Sequence, residues 1–141
     1  MTRVPVEVRR LVASRAGYRC EYCKSQEAVL GMPFEIEHII PLAAGGNSTE
    51  DNLSLACPRC NRHKGAQLVE IDVETDHSEP LFHSRRDSWR QHFAWSSDGL
   101  RLVGLTATGR ATIEALQMNN VFVMRSRQLW VLAGWHPLPD D

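Results

Sequence analysis

Apolar and polar positions change period several times along the chain, and each change marks an element. In residues 5–16, Val8, Leu11 and Val12 share one helical face. Pro5 suits the first helical position and Gly17 the residue after the last turn, so this stretch predicts a helix. Phe34-Glu-Ile-Glu-His-Ile-Ile40 alternates apolar and polar residues and predicts a strand. Residues 41–50 (PLAAGGNSTE) predict a loop from their Pro, Gly, Asn and Ser content. Asp51–Leu55 reads as a short helical turn, and Asn61 to about Gln67 as a helix that Gly65 shortens. Residues 69–80 read as a linker, with VEIDV extended and ETDHSEP acidic. Beyond it, His92–Ser96 and Leu100–Leu105 flank Ser-Asp-Gly, a hairpin signal. Thr108–Met118 predicts a helix with Ile113, Leu116 and Met118 turned inward, and 120–133 another.

A chain of 141 residues is one domain's worth, or a small motif domain with an extension, and 43% hydrophobic residues allow one modest core. No run of 18 apolar residues is present, so no membrane span is expected. The N-terminus, MTRVPVEVRR, lacks the apolar stretch of a signal peptide. A cytoplasmic location is therefore expected, where cysteine pairs are read as metal ligands before disulfides. The net charge of −1 does not advertise a nucleic-acid partner, although the basic residues lean toward the first half.

The cysteines change the picture. All four fall into two pairs, Cys20-x-x-Cys23 and Cys57-x-x-Cys60. A two-residue spacing lets both sulfurs of a tight turn face one point, and two such turns supply a tetrahedral thiolate set about 2.3 Å from a Zn²⁺ ion. A redox reading needs one such pair beside a βαβ unit, which the pattern lacks. Four sulfurs leave no open position for water, so this zinc is expected to hold the fold.

Between the pairs runs Glu37-His-Ile-Ile-Pro-Leu-Ala-Ala-Gly-Gly-Asn47-Ser-Thr-Glu-Asp-Asn52-Leu-Ser-Leu-Ala-Cys57-Pro-Arg-Cys-Asn61-Arg-His-Lys-Gly65. An acidic residue before His, a Pro, a Gly-Gly loop, Asn-Leu and a C-x-x-C-N-x-x-K-G ending together resemble the HNH endonuclease family. The resemblance covers about residues 15–67 and says little about 70–141. It implies a ββα-metal finger, here α+β, zinc-stapled and preceded by a helix. The expected organisation is a nuclease domain over 1–68, the 69–80 linker, and a small α+β extension of hairpin and helices over 81–141.

The chemistry follows from the residue types. Cleaving a phosphodiester needs a more basic water, positive charge on the phosphate and help for the leaving oxygen. His38 has the near-neutral pKa of a general base. Glu37 offers a hard oxygen to a divalent ion. A regular strand puts Glu37 and His38 on opposite faces; a bend would let both converge, and the resemblance implies one. Asn61 is assigned to the same ion by its motif position, where the family usually has His. His63, about 200° further round a helix, is the alternative ligand or a phosphate contact. Asn52 is expected to fix either the loop backbone or the His38 ring. Arg62 and Lys64 are candidates for phosphate contacts. Mg²⁺ or Mn²⁺ suits oxygen donors, with Ni²⁺ or Zn²⁺ open if a nitrogen joins.

The expected partner is DNA. A homodimer or a protein partner through residues 81–141 is the expectation for the extension, and the competing reading for the whole is a catalytically inactive zinc-ribbon that binds DNA or protein. His77, His83, His92 and His136 stand outside any such pattern, and the four tryptophans read as core or packing residues.

Overall fold

Pro5 lacks an N–H that a helix start leaves unpaired anyway. In this computed structural model, which describes residues 4–141, Pro5 is the N-cap of α1 (Val6–Arg15). Of the face expected to turn inward, Val12 is fully buried while Leu11 stays exposed. Arg15 anchors the end of α1, donating from Nη2 to the carbonyls of Glu50 and Leu53 at 2.6 Å each.

The described residues divide into two units. The first runs up to Leu68 and includes His83–Asp87; the second takes Val69–Phe82 and Ser88–Asp141. After α1 the first unit contains a one-turn α2 (Glu27–Leu30), β1 (Glu35–His38), β2 (Leu53–Ala56) and α3 (Pro58–Lys64), which is a ββα arrangement. β1 and β2 pair antiparallel, with Glu37 opposite Ser54 and His38 opposite Leu53.

The helical turn expected over Asp51–Leu55 is corrected: a 3-10 turn at Glu50–Asn52 gives way to β2. All four β2 residues are buried, so the strand has no alternating signature to read. Leu53 and Leu55 are its core contribution, beside Val12, Tyr22 and Phe34. Each such leucine is worth about 1.5–3 kcal/mol when buried. The third helix begins three residues earlier than expected. Pro58 takes its first position and the Cys57 sulfur caps it, accepting from the Cys60 N–H at 3.4 Å.

The second unit corrects the expected linker. Val69–Ile71 (β3) and Ser78–Pro80 (β4) form an antiparallel hairpin. Its turn is organised by buried Asp72, which accepts from Thr75 Oγ1 at 2.9 Å and from Arg110 Nε and Nη2 at 2.8 and 2.9 Å. There follow a one-turn α4 (Trp89–His92), the paired strands β5 (Phe93–Trp95) and β6 (Leu102–Gly104), then α5 (Ala107–Leu116) and α6 (Val121–Leu132). The α6 N-cap is Asn120, whose side chain accepts from the N–H groups of Phe122 and Val123. Fully buried Arg127 donates to the carbonyls of Leu100 and Met118 at 2.9 and 2.6 Å and stacks over Trp95. No helix among the described residues is long and apolar enough to cross a membrane.

The segment His83–Asp87, expected in the extension, packs within the first unit, where Arg85 pairs with Glu21.

Candidate functional site

Cys20 and Cys23 lie on the turn after α1, Cys57 and Cys60 on the turn that opens α3. Their four sulfurs fall within 4.8 Å of one another, and all four residues are buried. Cys23 Sγ and Cys57 Sγ are 3.7 Å apart. Tetrahedral coordination with sulfur about 2.3 Å from the ion requires sulfur pairs about 3.8 Å apart, so the cluster fits zinc. The backbone N–H of Cys23 and of Cys60 each points at the first sulfur of its own turn, at 3.5 and 3.4 Å. Burial pushes the Cys20 thiol well up, while hydrogen bonding with Cys20 holds Cys23 and Cys57 down. Held as thiolates, four sulfurs packed this closely would need a cation among them. Arg59 adds a positive charge from outside the cluster, its Nη2 lying 3.3 Å from Cys23 Sγ.

The strand and the third helix meet along two rungs. Residues two apart on a strand share a face, as do residues three apart on a helix. Glu35 and Glu37 on β1 therefore meet Asn61 and Lys64 on α3. Asn61 Nδ2 donates to Glu35 Oε2. Lys64 Nζ donates to Glu37 Oε2 at 3.1 Å, to the His38 carbonyl at 3.3 Å and to the Ile39 carbonyl at 2.9 Å. The other oxygen of Glu37 accepts from the Tyr22 hydroxyl. Burial keeps the Tyr22 phenol protonated and thus a donor. Burial also pushes the Glu37 carboxyl above its ordinary value, against the pull of Lys64 and Tyr22.

The expected bend between Glu37 and His38 is absent. Pairing with β2 runs unbroken through His38, and Ile39 N continues it to the Asn52 carbonyl at 2.9 Å. The Glu37 side chain therefore turns to Tyr22 and Lys64, and the His38 ring turns the other way, its Nε2 2.9 Å from Ser48 Oγ. One cleft of about 320 Å³ is nonetheless lined by Glu37, His38 and Asn61 together, with Ile36, Pro41, Leu42, Gly65 and Ala66.

Asn52 takes the first of its two expected tasks, the loop backbone. Its Nδ2 donates to the carbonyls of Ile40 at 3.0 Å and Asn47 at 2.8 Å, and its Oδ1 accepts from Ile40 N at 2.9 Å. The loop folds so tightly that a Cβ on Gly46 would stand 1.8 Å from the Ile40 carbonyl oxygen. Its neighbour Gly45 has φ +90°, the left-handed region. The Gly-Gly pair is thus a requirement of the loop that carries Ser48 to His38.

Two expectations are corrected. Lys64 is 2% exposed and its three N–H groups meet three acceptors, so it is a strut inside the finger and not a phosphate contact. His63 is exposed and does not line the cleft, which removes it as the alternative ion ligand, while its exposure suits the other expectation, a phosphate contact. Arg62 is exposed on the same helix. The sequence reading missed Glu35, Tyr22 and Ser48. The period of two on β1 was a signal for Glu35, whereas nothing local singles out Tyr22 or Ser48.

Residues 20–67 match the HNH endonuclease family. One relative, the Type IV methyl-directed restriction enzyme EcoKMcrA of Escherichia coli (strain K12), is 36% identical over 92 residues, which covers 50% of this chain and 33% of that protein. The chain thus spans about a third of that relative's length. No solved structure matches the chain.

Proposed function

Starting from residues 20–67 as a segment of the HNH endonuclease family, we propose that the chain is a metal-dependent endonuclease that hydrolyses phosphodiester bonds in DNA. The observation that carries this reading is the single cleft lined by Glu37, His38 and Asn61. It holds an imidazole that can act as a base and two oxygen donors, the donor set that Mg²⁺ or Mn²⁺ favours. A divalent ion held there would supply positive charge for the scissile phosphate and the leaving oxygen.

The chain's own residues do the rest. His38 takes the proton from the attacking water, with its ring steadied at Nε2 by Ser48 Oγ. Glu37 and the Oδ1 of Asn61 would hold the ion, Glu37 through the lone pairs that Tyr22 and Lys64 leave over. Asn52 holds the loop between Ile40 and Asn47 in the shape that brings Ser48 to the ring. Exposed Arg62 is the phosphate contact. The similarity to a restriction enzyme supports DNA as the substrate class; the methyl-direction in that enzyme's name belongs to that enzyme and is no part of this proposal.

Nicking of supercoiled plasmid in Mg²⁺ or Mn²⁺, with an EDTA control, tests the reading. His38→Ala should keep its zinc and its fold and lose roughly 10²–10⁴ in rate, the usual share of a general base. Wild-type cutting by that variant overturns the assignment.

One observation favours a second reading. Both oxygens of Glu37 already accept a hydrogen bond, which suits a finger that binds DNA or protein without cutting it. Duplex binding with no nicking in Mg²⁺, Mn²⁺ or Ni²⁺ would decide for that reading.

A further inference from the structure

We infer that Glu35 is a positioning residue for the cleft: it fixes the amide of Asn61 so that Oδ1, the one atom of that side chain able to bind a cation, is turned to the cleft. The inference rests on the reading of Asn61 as an ion ligand and adds a residue that touches neither ion nor substrate.

An asparagine amide has two nearly isosteric ends, a carbonyl oxygen that accepts and ligates and an NH₂ that only donates. An untethered Asn61 would divide its time between two flips, one of which offers the ion a donor group that repels it. An ionised carboxylate accepts and never donates. Glu35, whose Oε2 takes the Asn61 Nδ2 hydrogen, therefore admits one flip and excludes the other. The chemistry of the partner, and not the shape of the amide, makes the selection.

Three further features make the selection effective. Glu35 lies on the face of β1 that meets α3, two residues before Glu37, so strand and helix geometry hold the pair together. Lys64, one turn further along α3 from Asn61, is buried and committed to Glu37 and two carbonyls, so it does not draw Glu35 away. Among the described residues no donor meets Asn61 Oδ1, while Asn61 itself lines the cleft with Glu37 and His38. Asn61 also follows directly on Cys60 and donates its own N–H to the Cys57 carbonyl at 3.0 Å, so its backbone is fixed and only the side chain is left to orient.

The test compares Mn²⁺ affinity, measured by the free-ion electron paramagnetic resonance signal or by calorimetry, in zinc-loaded wild type, Glu35→Ala, Glu35→Gln and Asn61→Ala. Plasmid nicking against Mn²⁺ concentration is the second readout. Glu35→Ala should weaken Mn²⁺ binding by roughly 10-fold, at the low end for residues that orient metal ligands. Its nicking rate should recover at saturating Mn²⁺. Glu35→Gln, whose amide can donate to Asn61 Oδ1 as well as accept from Nδ2 and so admits both flips, should also weaken Mn²⁺ binding, by no more than Glu35→Ala does. Adding Glu35→Ala to Asn61→Ala should change nothing further. Wild-type affinity in Glu35→Ala, with Asn61→Ala defective, overturns the inference and leaves the cleft reading standing. A further loss when Glu35→Ala is added to Asn61→Ala overturns it in favour of a direct charge effect. Wild-type affinity in Asn61→Ala defeats the reading on which the inference rests.

Discussion

Removing the Lys64 ammonium should do more damage to this finger than any exposed substitution, and the damage should depend on pH. Lys64 and Glu37 have side chains only 1% and 3% exposed and stand 3.1 Å apart. Lys64→Met keeps the aliphatic stem and deletes one ion pair and two bonds to backbone carbonyls. Breaking a buried pair from one side costs roughly 3–5 kcal/mol, because the remaining charge is left without its partner. Against a typical total of about 5–15 kcal/mol, that is a large share. Glu37 already titrates above its ordinary value of 4.5, since burial outweighs the pull of Lys64 and Tyr22. Without Lys64 that balance tips further and the folded pKa rises again. A carboxyl raised on folding contributes stability that is complete below its unfolded pKa and is lost as pH rises through the folded one. The gap between wild type and Lys64→Met should therefore be widest at alkaline pH and narrow toward acid pH as Glu37 protonates. Urea denaturation of both zinc-saturated proteins at several pH values measures it. The double variant Glu37→Gln/Lys64→Met should recover part of the loss, since no buried charge is stranded. A gap below about 1 kcal/mol at neutral pH, or one that does not change with pH, would refute the strut assignment.

The same reasoning extends to the loop and the zinc site. Asn52→Ala removes three hydrogen bonds at once and should cost about 2–4 kcal/mol, at about 1 kcal/mol each, with nicking reduced as Ser48 loses its place beside His38; an unchanged melting temperature would refute it. Arg59→Met should speed chelator-driven zinc release by about 10-fold, as expected for a group that contacts a ligand sulfur, and a colorimetric zinc indicator follows the release directly; release at the wild-type rate would show that the guanidinium does not steady the cluster.

How much of this was legible depended on whether a residue's job left a local pattern. Two cysteine pairs at fixed spacing announce convergent sulfurs, because a tight turn allows little else, and the four sulfurs do converge. The β5–β6 hairpin and the last two helices likewise follow from turn residues and apolar period. β2 was hidden because a strand buried on both faces has no alternation; β3 was legible as the extended VEIDV, but its pairing with β4 was not, because both strands are three residues long and largely exposed. Lys64 was misread for a different reason. A lysine on a helix is normally solvated, and only the position of Glu37 across the strand–helix contact, set by tertiary packing, draws it inside. The bend expected between Glu37 and His38 is absent, and the regular strand turns their side chains to different partners, yet both line the same cleft with Asn61.

The two centres of the finger are mechanically one, because both are built on α3. Cys57 caps this seven-residue helix and Cys60 lies in its first turn, while Asn61 and Lys64 reach back to Glu35 and Glu37 from the next residue and the last turn. An isolated helix of this length does not hold its own shape in water. What fixes it is the sulfur cluster at one end and the rungs to β1 along its side, with Tyr22 tying the first cysteine turn to Glu37 itself. A change at the sulfurs therefore reaches the cleft through a helix register and a buried carboxylate, with no flexible segment between. Loss of the zinc would loosen the helix start that carries Asn61, and the cleft chemistry should disappear with it even though no cysteine lines the cleft.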